Sequence, residues 1–454
     1  MNRAFQCTFF ATMLLAGFQN QAMALNLIDA VHRAEMRDPR FAAVRASQRA
    51  NGQNSAIARS NLLPQVNLQA AEKQNSLNQN AVTYAPGVVL GGGNTSYRTS
   101  DLSLTVSQPL FNVAAFRQYE SAKASQTRDD ATLRDKLQSL RLSVAEAYFG
   151  VLRAQAALDV AKSRKDNLDR QYSDAQGKFK QGVLPKLDLI ESEAQRDVAM
   201  TEYLSAQNQL AAAQQNLQAF VGGATEPVDP IRADALYNAP EPHNPQQWAQ
   251  LAVIANPRLI AARYDLAAFE KNEQAQKAGY LPDLSLVGNY NKRNTSGSDN
   301  LAVALNSGVS NYVGVQLNWN LFSGGRTVAQ AEQALNQKEA AQANMEASQQ
   351  AIQNESISLY QTVETDSQQV SAYRKALDSA SRAYTAIQAG YRLGTHTILD
   401  LLAAETRQHK ARLDYDNARF AYVIDSLKLH YNAGLLNDDV IARFNGLLMQ
   451  QSLR

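Results

Sequence analysis

Residues 179–188, FKQGVLPKLD, decide the architecture, because a related stretch, YRLGTHTILD at residues 391–400, follows 212 positions later. In both stretches an aromatic residue is followed by glycine three positions on and by aspartate nine positions on. Segments with helical periodicity flank both stretches. Glycine between two helices supplies the positive φ that ends the first helix, and aspartate in the first turn of the next helix favours its positive end. The sequence therefore predicts two helical hairpin tips in a chain that is built twice.

The composition allows a large core or an extended helical body. The chain has 454 residues, of which 45% are hydrophobic and 19% charged, and its formal net charge is +2. This charge balance does not favour a polyanionic partner, and the sequence contains no basic run of the kind that follows a nucleic-acid backbone. We therefore predict no nucleic-acid binding.

The N-terminus has the pattern of a secretory signal peptide at residues 1–24. Arg3 precedes an apolar stretch at 4–18, and Ala22-Met23-Ala24 forms an A-x-A cleavage site. The alternative is an ordinary amphipathic helix. Cys7, the only cysteine, lies in the segment to be removed, so the mature chain would have no thiol for a disulfide, a metal or a lipid anchor. Beyond residue 24 no apolar run is long enough for a spanning helix, so any insertion into a membrane would have to be by β-strands.

Short landmarks repeat along the two halves. They are Asp38-Pro39-Arg40 with Asn256-Pro257-Arg258, Leu63-Pro64 with Leu281-Pro282, and Leu110-Phe111 with Leu321-Phe322. The offset falls between the last two pairs, which predicts surface loops of unequal length there. The predicted organisation is a first repeat at 25–221, a proline-rich crossing segment at 222–248, a second repeat at 249–433 and a C-terminal tail at 434–454.

Four runs alternate in the manner of half-buried strands. Their apolar rows are Val66, Leu68 and Ala70; Leu102, Leu104 and Val106; Leu284, Leu286 and Tyr290; and Val313, Val315, Leu317, Trp319 and Leu321. Each run has about ten residues, the length of a tilted strand that crosses a bilayer, and polar loops are predicted at 74–100 and 291–311. Four strands are too few for a closed barrel, which needs about eight, so several chains would share one. The alternative is a soluble four-stranded sheet with one wet face.

Helical signals fill the remainder of each half. A heptad seam in the first half is formed by Leu133, Leu137, Leu140, Val144, Ala147, Val151, Ala154, Leu158 and Ala161. The second half carries Ile352, Leu359, Val363, Val370 and Tyr373 in the same phase, with Ser356 and Asp366 as polar exceptions. One helix over 113–176 would be about 95 Å long. Shorter helices at 40–62 and 185–220, and at 258–280 and 397–432, add up to nearly that length, so each half is predicted to be a column.

These features together resemble the TolC family of outer-membrane export ducts over essentially the whole mature chain. The motifs that carry the resemblance are AEAYFGVLRAQ (145–155), FKQGVLPKLDLIESEAQ (179–195), LFSGGRTVAQAEQA (321–334) and AGYRLGTHTILDLLAAETRQHKARLDYDNARF (389–420). The resemblance implies a mixed α and β fold and a homotrimer, in which a membrane β-barrel of four strands per chain is shared between protomers and continued by a helical α-barrel. The segment 222–248 and the tail would form an equatorial girdle.

The resemblance also implies partners and a location. The non-lipidated N-terminus and the tip sequence are similar to the branch that serves type I protein secretion, with a periplasmic adaptor and an inner-membrane ABC exporter. The outer-membrane component of a multidrug efflux pump is the alternative. The implied location is the outer membrane of a Gram-negative bacterium, in contact with its lipid and extending into the periplasm.

Site residues follow from the same resemblance. Asp400 matches the aspartate that rings the periplasmic entrance, and Asp188 and Tyr391 match a pair that links neighbouring coils at the closed tip. Two further positions depart from the family pattern: Ala403 stands where a second ring aspartate is expected, and His396 where a linking arginine is expected. The grooves that receive the adaptor hairpin match Gly182, Val183, Leu184, Leu393, Gly394 and Thr395.

No pattern indicates catalysis, a cofactor or a metal site. The five histidines are dispersed, and the glycine clusters lack the lysine and spacing of a phosphate loop. Asp400 has a simpler interpretation, because Thr397-x-x-Asp400 is the start of a capping box, and His396 can be a solvated tip residue. Two other classes of protein remain open. A periplasmic coiled-coil scaffold would not need four amphipathic strands, and an outer-membrane β-barrel enzyme would need a Ser/His pair on the barrel.

Overall fold

A computed structural model describes residues 24–79, 82–86, 88–90, 93–223, 226–297 and 307–449. The predicted signal peptide lies outside the described residues except for Ala24. Within the described part the chain is mainly helical. No helix there is both long enough and apolar enough to cross a bilayer.

The helices of the first half form a column, as predicted. They are α1 (Leu27–Arg37), α2 (Pro39–Ser60), α3 (Val113–Lys180) and α4 (Lys186–Val221). Helix α3 has 68 residues and is therefore about 100 Å long. Helix α1 was not predicted. It is short, and only one residue, the capping Asp38, lies between its end and the start of α2. The Asp38 side chain accepts hydrogen bonds from the backbone N–H groups of Arg40 and Phe41, and Pro39 begins α2.

The second half repeats this order. Its helices are α5 (Pro245–Ala255), α6 (Pro257–Lys277), α7 (Arg326–Arg392) and α8 (Ile398–Asn432), followed by a short α9 (Asp438–Asn445). Asn256 caps α6 through the N–H groups of Arg258 and Leu259, as Asp38 caps α2. The repeated landmark is therefore a repeated helix start. Helix α5 begins at Pro245, inside the predicted crossing segment, while the division into repeats stays a prediction.

The strands form one antiparallel sheet in the order β1-β4-β5-β6. Its members are β1 (Gln65–Gln79), β4 (Gly93–Phe111), β5 (Asp283–Ser296) and β6 (Gly308–Asn318), and a small hairpin of β2 (Val82–Ala85) and β3 (Val88–Leu90) lies beyond β1. The register places Val66 opposite Val106, Val106 opposite Gly288, and Gly288 opposite Val313. The predicted apolar rows thus share one face of the sheet.

The predicted loops at 74–100 and 291–311 were too long. Strands β1 and β4 continue in register through Asn75 and Tyr97, and β5 and β6 likewise extend into the second segment. Here polar side chains hold the strands together, for example Asn75 Nδ2 donating to Thr99 Oγ1 at 3.0 Å. Alternation of apolar and polar residues cannot detect such a strand, because both of its faces are polar. At the other end, Trp319 and Leu321 lie beyond β6.

A buried core surrounds the middle of α3, where the chain termini and the crossing segment pack together. Tyr148 of α3 is fully buried, and its hydroxyl donates to the backbone oxygen of Leu25 at 2.8 Å. The N–H of Met449 donates to the carbonyl of Pro230 at 2.8 Å. The C-terminal tail therefore packs on the crossing segment.

Candidate functional site: the paired helical tips

The two predicted tips have the same backbone turn. Gly182 follows α3 with φ +70° and Gly394 follows α7 with φ +78°. The N–H of the next residue, Val183 or Thr395, donates to the carbonyl five positions back, at 3.0 and 2.9 Å. This is the hydrogen bond of the Schellman motif, which requires the left-handed conformation that glycine adopts without strain. The repeated sequence thus produces a repeated reversal of direction at one end of the column.

Asp400 completes a capping box at the start of α8. Its N–H donates to Thr397 Oγ1 at 3.2 Å, while its Oδ2 accepts from the Thr397 N–H at 3.0 Å and from the Thr397 hydroxyl at 2.8 Å. These hydrogen bonds, the backbone one foremost, lower the pKa of Asp400, and His396, with Nδ1 3.7 Å from Oδ2, adds to the effect. The side chain is half exposed. The Asp400 carboxylate is therefore ionised at neutral pH and open to solvent.

The predicted linking residues lie close to the tip but do not bond to each other within the chain. In the described residues, neither the Asp188 carboxylate nor the Tyr391 hydroxyl forms a hydrogen bond or ion pair. The Tyr391 ring packs against a cluster that includes Leu168 and Leu402, and Lys178 Nζ lies 5.1 Å from its centroid. The pairing of Asp188 and Tyr391 between coils stays a prediction.

The predicted docking residues are exposed. Val183 is 71% exposed and Leu393 81% exposed, and Leu184 is the half-buried member of the set. Two further apolar residues, Leu187 and Leu399, are 74% and 57% exposed in the first turns of α4 and α8. The sequence analysis missed this pair, although the offset of 212 relates the two positions.

Gly390 is another tip residue that the sequence analysis missed. A Cβ atom at this position would overlap the ring of His396 and approach the Thr395 hydroxyl to 2.9 Å. The Thr395 hydroxyl donates to the Gly390 carbonyl at 3.0 Å. Gly390 therefore lets the returning chain pack onto the last turn of α7.

Comparison with known proteins identifies the family. A profile of the family described as "Outer membrane efflux protein" matches residues 30–223 and 248–434. The chain belongs to this family. Its members are outer-membrane channels, so this outer membrane efflux protein is located in the outer membrane of a Gram-negative bacterium and serves export.

Several relatives are similar over nearly the full length. The alkaline protease secretion protein AprF of Pseudomonas aeruginosa is 29% identical over 96% of this chain and 90% of its own length. The outer membrane protein TolC of Vibrio cholerae is 28% identical over 96% of this chain and 97% of its own length. The proteases secretion protein PrtF of Dickeya chrysanthemi is 25% identical over 94% of this chain and 92% of its own length. The predicted family resemblance is thereby confirmed.

Solved channel structures have the same fold. The Campylobacter jejuni CmeC outer membrane channel superposes with a TM-score of 0.79 over 100% of this efflux protein and 99% of CmeC, at 15% identity. The outer membrane protein VceC of Vibrio cholerae superposes with a TM-score of 0.76 over 90% of this chain and 96% of VceC, at 17% identity. The predicted mixed α and β fold is confirmed.

Proposed function

We propose that this protein is the outer-membrane channel of a type I protein secretion system and acts as a homotrimer with a periplasmic adaptor and an inner-membrane ABC exporter. The observation that carries the proposal is similarity along nearly the whole chain to AprF and PrtF, whose names assign them to protease secretion. Similarity to the outer membrane efflux protein BepC of Brucella suis is shorter, covering 76% of this chain. Secretion is therefore favoured over the efflux-pump alternative.

The sheet supports a shared barrel. One face carries aligned apolar rows whose members Val66, Val313 and Leu317 are more than half exposed. On the opposite face Asn289 Nδ2 donates to Thr105 Oγ1 at 2.9 Å. Outer-membrane barrels have this arrangement, with apolar side chains toward lipid and polar ones toward the lumen. The free edges of β1 and β6 in the described chain would then pair with neighbouring copies.

The tips support the entrance and the docking site. Three copies of Asp400 around a threefold axis would form a carboxylate ring that attracts cations. The exposed apolar residues Val183, Leu187, Leu393 and Leu399 surround the two glycine turns and offer a surface for an adaptor hairpin. Hydrophobic side chains exposed as a group mark interaction sites more often than scattered ones do.

A reconstituted secretion assay tests the proposal. The protein is expressed with an ABC exporter, its adaptor and a protease cargo in a host that lacks its own outer-membrane component, and protease is measured in the medium. We expect secretion by the wild type and its loss in Val183→Asp with Leu393→Asp, because carboxylates would disrupt the apolar surface. Leu236→Asp is the matched control, since Leu236 is 74% exposed in the crossing segment away from the tips. Drug resistance without secretion would overturn the proposal in favour of efflux.

A further inference from the structure

A polar cluster lies buried between helices α3 and α8, on the column side of the tips. Glu405 of α8 is only 2% exposed. Its Oε2 accepts a hydrogen bond from Nε2 of Gln171 in α3 at 2.8 Å. Its Oε1 lies 3.5 Å from Nε2 of His409, one turn further along α8. The residues that bond across the helices are 234 positions apart in the chain.

The hydrogen bond joins two coiled coils. Helix α3 runs beside α4, which follows it through the first tip, and α7 runs beside α8 through the second tip. Gln171 belongs to the first coil and Glu405 to the second. A second glutamine nearby, Gln408, instead bonds within the second coil, donating to Ser381 Oγ of α7 at 3.3 Å. The bond between Gln171 and Glu405 therefore resists separation of the coils, and that of Gln408 does not.

The Glu405 carboxylate is held in its charged form. Burial acts to raise the pKa of Glu405, but polar contacts with His409, Gln171 and Asn167 outweigh burial and lower it. A buried charge is costly unless its hydrogen bonds are satisfied. Loss of the Gln171 donor would leave this charge less well satisfied, so separation of the coils, which lets water reach Glu405, would cost less free energy.

Space for this movement lies beside the cluster. A groove of about 540 Å³ that opens to solvent is lined by Asn167 and Val160 of α3, Ser381 of α7, His409 of α8 and Pro230 of the crossing segment. Protein interiors are otherwise close-packed and allow little displacement of helices. The two coils are therefore not close-packed against each other along this groove, and less side-chain packing opposes their separation there.

We propose that Glu405 and Gln171 form an interhelical latch, which holds the two coiled coils of one chain together while the tip is closed and breaks when the tip opens. The proposal rests on the proposed channel function. It adds a gating contact inside each chain to the predicted links at the tip itself. Gln171 and Glu405 are positioning residues, because they act through the arrangement of the helices that carry Asp400 and Tyr391.

Single-channel recording of the full mature protein in planar bilayers tests the latch. We expect Gln171→Leu to increase the open time about tenfold, because a hydrogen bond to a charged group is commonly worth such a factor. Glu405→Gln, which retains an acceptor for Gln171, should increase it less. The open time of the double variant Gln171→Leu with Glu405→Leu should be no longer than that of Gln171→Leu alone, since the two residues share one hydrogen bond.

Gln408→Leu is the matched control, and thermal denaturation of each variant is the second measurement. A purely structural cluster would lower the melting temperature in Gln171→Leu and leave the open time of the surviving channels at the wild-type value. That result, or an equal increase in Gln408→Leu, would overturn the latch while the conducting wild type still supports the channel function. A wild type that never conducts would overturn both.

Discussion

The Asp400 carboxylate already accepts hydrogen bonds from a residue of its own chain, Thr397. Its hydrogen bonds to Thr397 lower the pKa, whereas neighbouring copies in a ring would disfavour simultaneous ionisation and raise it. We expect the ring to bind trivalent cations and wild-type current to be blocked by them from the periplasmic side. The block should weaken as pH falls through the titration range of the ring.

Asp400→Asn tests the ring separately from the cap. Asp400 is the N3 residue of the capping box, and the side-chain oxygen of asparagine can still accept from the Thr397 N–H there, so the variant should fold normally and lose the block. Because Ala403 stands where the family pattern has a second aspartate, block of the wild type should require more cation than a double ring would. Equal block of wild type and variant in bilayer conductance would leave capping as the only role of Asp400.

Asp366 is a buried carboxyl in the seam of α7 whose ionisation destabilises the fold. Burial, followed by the charge of Asp425 and a hydrogen bond shared with it, raises the pKa of Asp366 to about 6. The folded protein therefore binds the proton more tightly than the unfolded chain. The stability from this group is complete below the unfolded pKa of about 4 and is lost as pH rises to about 6.

Asp366→Asn should stabilise the protein at pH 7.5. The full pKa shift corresponds to about 3 kcal/mol, and solvent screening reduces it, so we expect a gain of about 1 to 2 kcal/mol in the free energy of unfolding. The gain should vanish below about pH 4. Thermal denaturation across this range measures it, with the exposed Asp378→Asn on the same helix as control. A gain that does not depend on pH would show that charge is not its cause.

Residues differ in how far their roles can be predicted from sequence. The capping role of Asp400 follows from Thr397 three positions earlier, because the interaction is local. Ser356, noted as a polar exception in the seam, is fully buried and accepts from Asn432 Nδ2 at 2.8 Å. The bond between Gln171 and Glu405 depends on how two coils pack, and no local pattern predicts it.

The tip links belong to the scale of elements. Tyr391→Phe with Asp188→Ala should raise conductance and sensitivity to large antibiotics, because long helices move at small cost once a few polar contacts are lost. The Tyr391 ring keeps its packing against Leu402 in the phenylalanine variant, so the change removes the hydroxyl alone. Single-channel recording and growth inhibition measure the effect, with Tyr264→Phe on α6 as control. Unchanged values would mean that other residues close this tip.

Gly434 ends α8 where two helices of the same half meet. Its φ is +74°, and a Cβ atom there would lie 2.7 Å from the carbonyl carbon of Ala255 and 2.8 Å from Cα of Asn256. Neither backbone atom can move without disturbing the junction of α5 and α6. Gly434→Ala should therefore lower the free energy of unfolding by more than about 3 kcal/mol.

Gly325→Ala is the matched control for Gly434. Gly325 also has a positive φ, +85°, but open space surrounds its missing Cβ. Gly325→Ala should lower the free energy of unfolding by about 1 to 2 kcal/mol, which is the strain of alanine in the left-handed conformation. Yield of folded protein and melting temperature compare the two, and equal losses would show that the backbone contact at Gly434 is unimportant.

Helices were easier to predict than strands at this scale. The seam through Val144 and Val151 follows a long, regular period, whereas β1 and β4 continue beyond their apolar residues on polar pairs such as Ser76 and Asn94. Helix α1 was missed because it is short and adjoins α2. Periodicity reports burial, and an element without a strongly apolar face carries little of that signal.

At the scale of the whole molecule, the internal repeat predicted the column, since equal offsets in the sequence became equivalent helices. The environment of the sheet could not be predicted in the same way. Alternation is the same for a face in lipid and for a face on a protein core. The exposure of the apolar rows that include Val66 and Val313 favours lipid over a protein core only when it is combined with membership of the outer-membrane family.

Trimerisation is expected to be obligatory, because the described sheet ends in two strands, β1 and β6, that each have one partner. Unpaired backbone groups cannot be satisfied in the hydrocarbon region, so a single chain would leave both edges unsatisfied. Pairing β1 of one copy with β6 of the next satisfies both, and three copies supply twelve strands. The mass of the protein in detergent should be that of three chains.

Engineered cysteines locate the pairing. The predicted mature chain has no cysteine, so Leu68→Cys in β1 can be combined with a cysteine moved along β6 in steps of two residues, including Val313→Cys. At the correct register oxidation should link copies and stop at three. Leu104→Cys in β4 with the same β6 cysteines is the control. Strand β5 lies between β4 and β6 of one chain, so these two strands are about 10 Å apart, too far for a disulfide. Strand β4 also has a partner strand of its own chain on each side, so β6 of a neighbouring copy cannot pair with it. A stable folded monomer, or cross-linking that continues beyond three chains, would contradict a closed ring of three sheets.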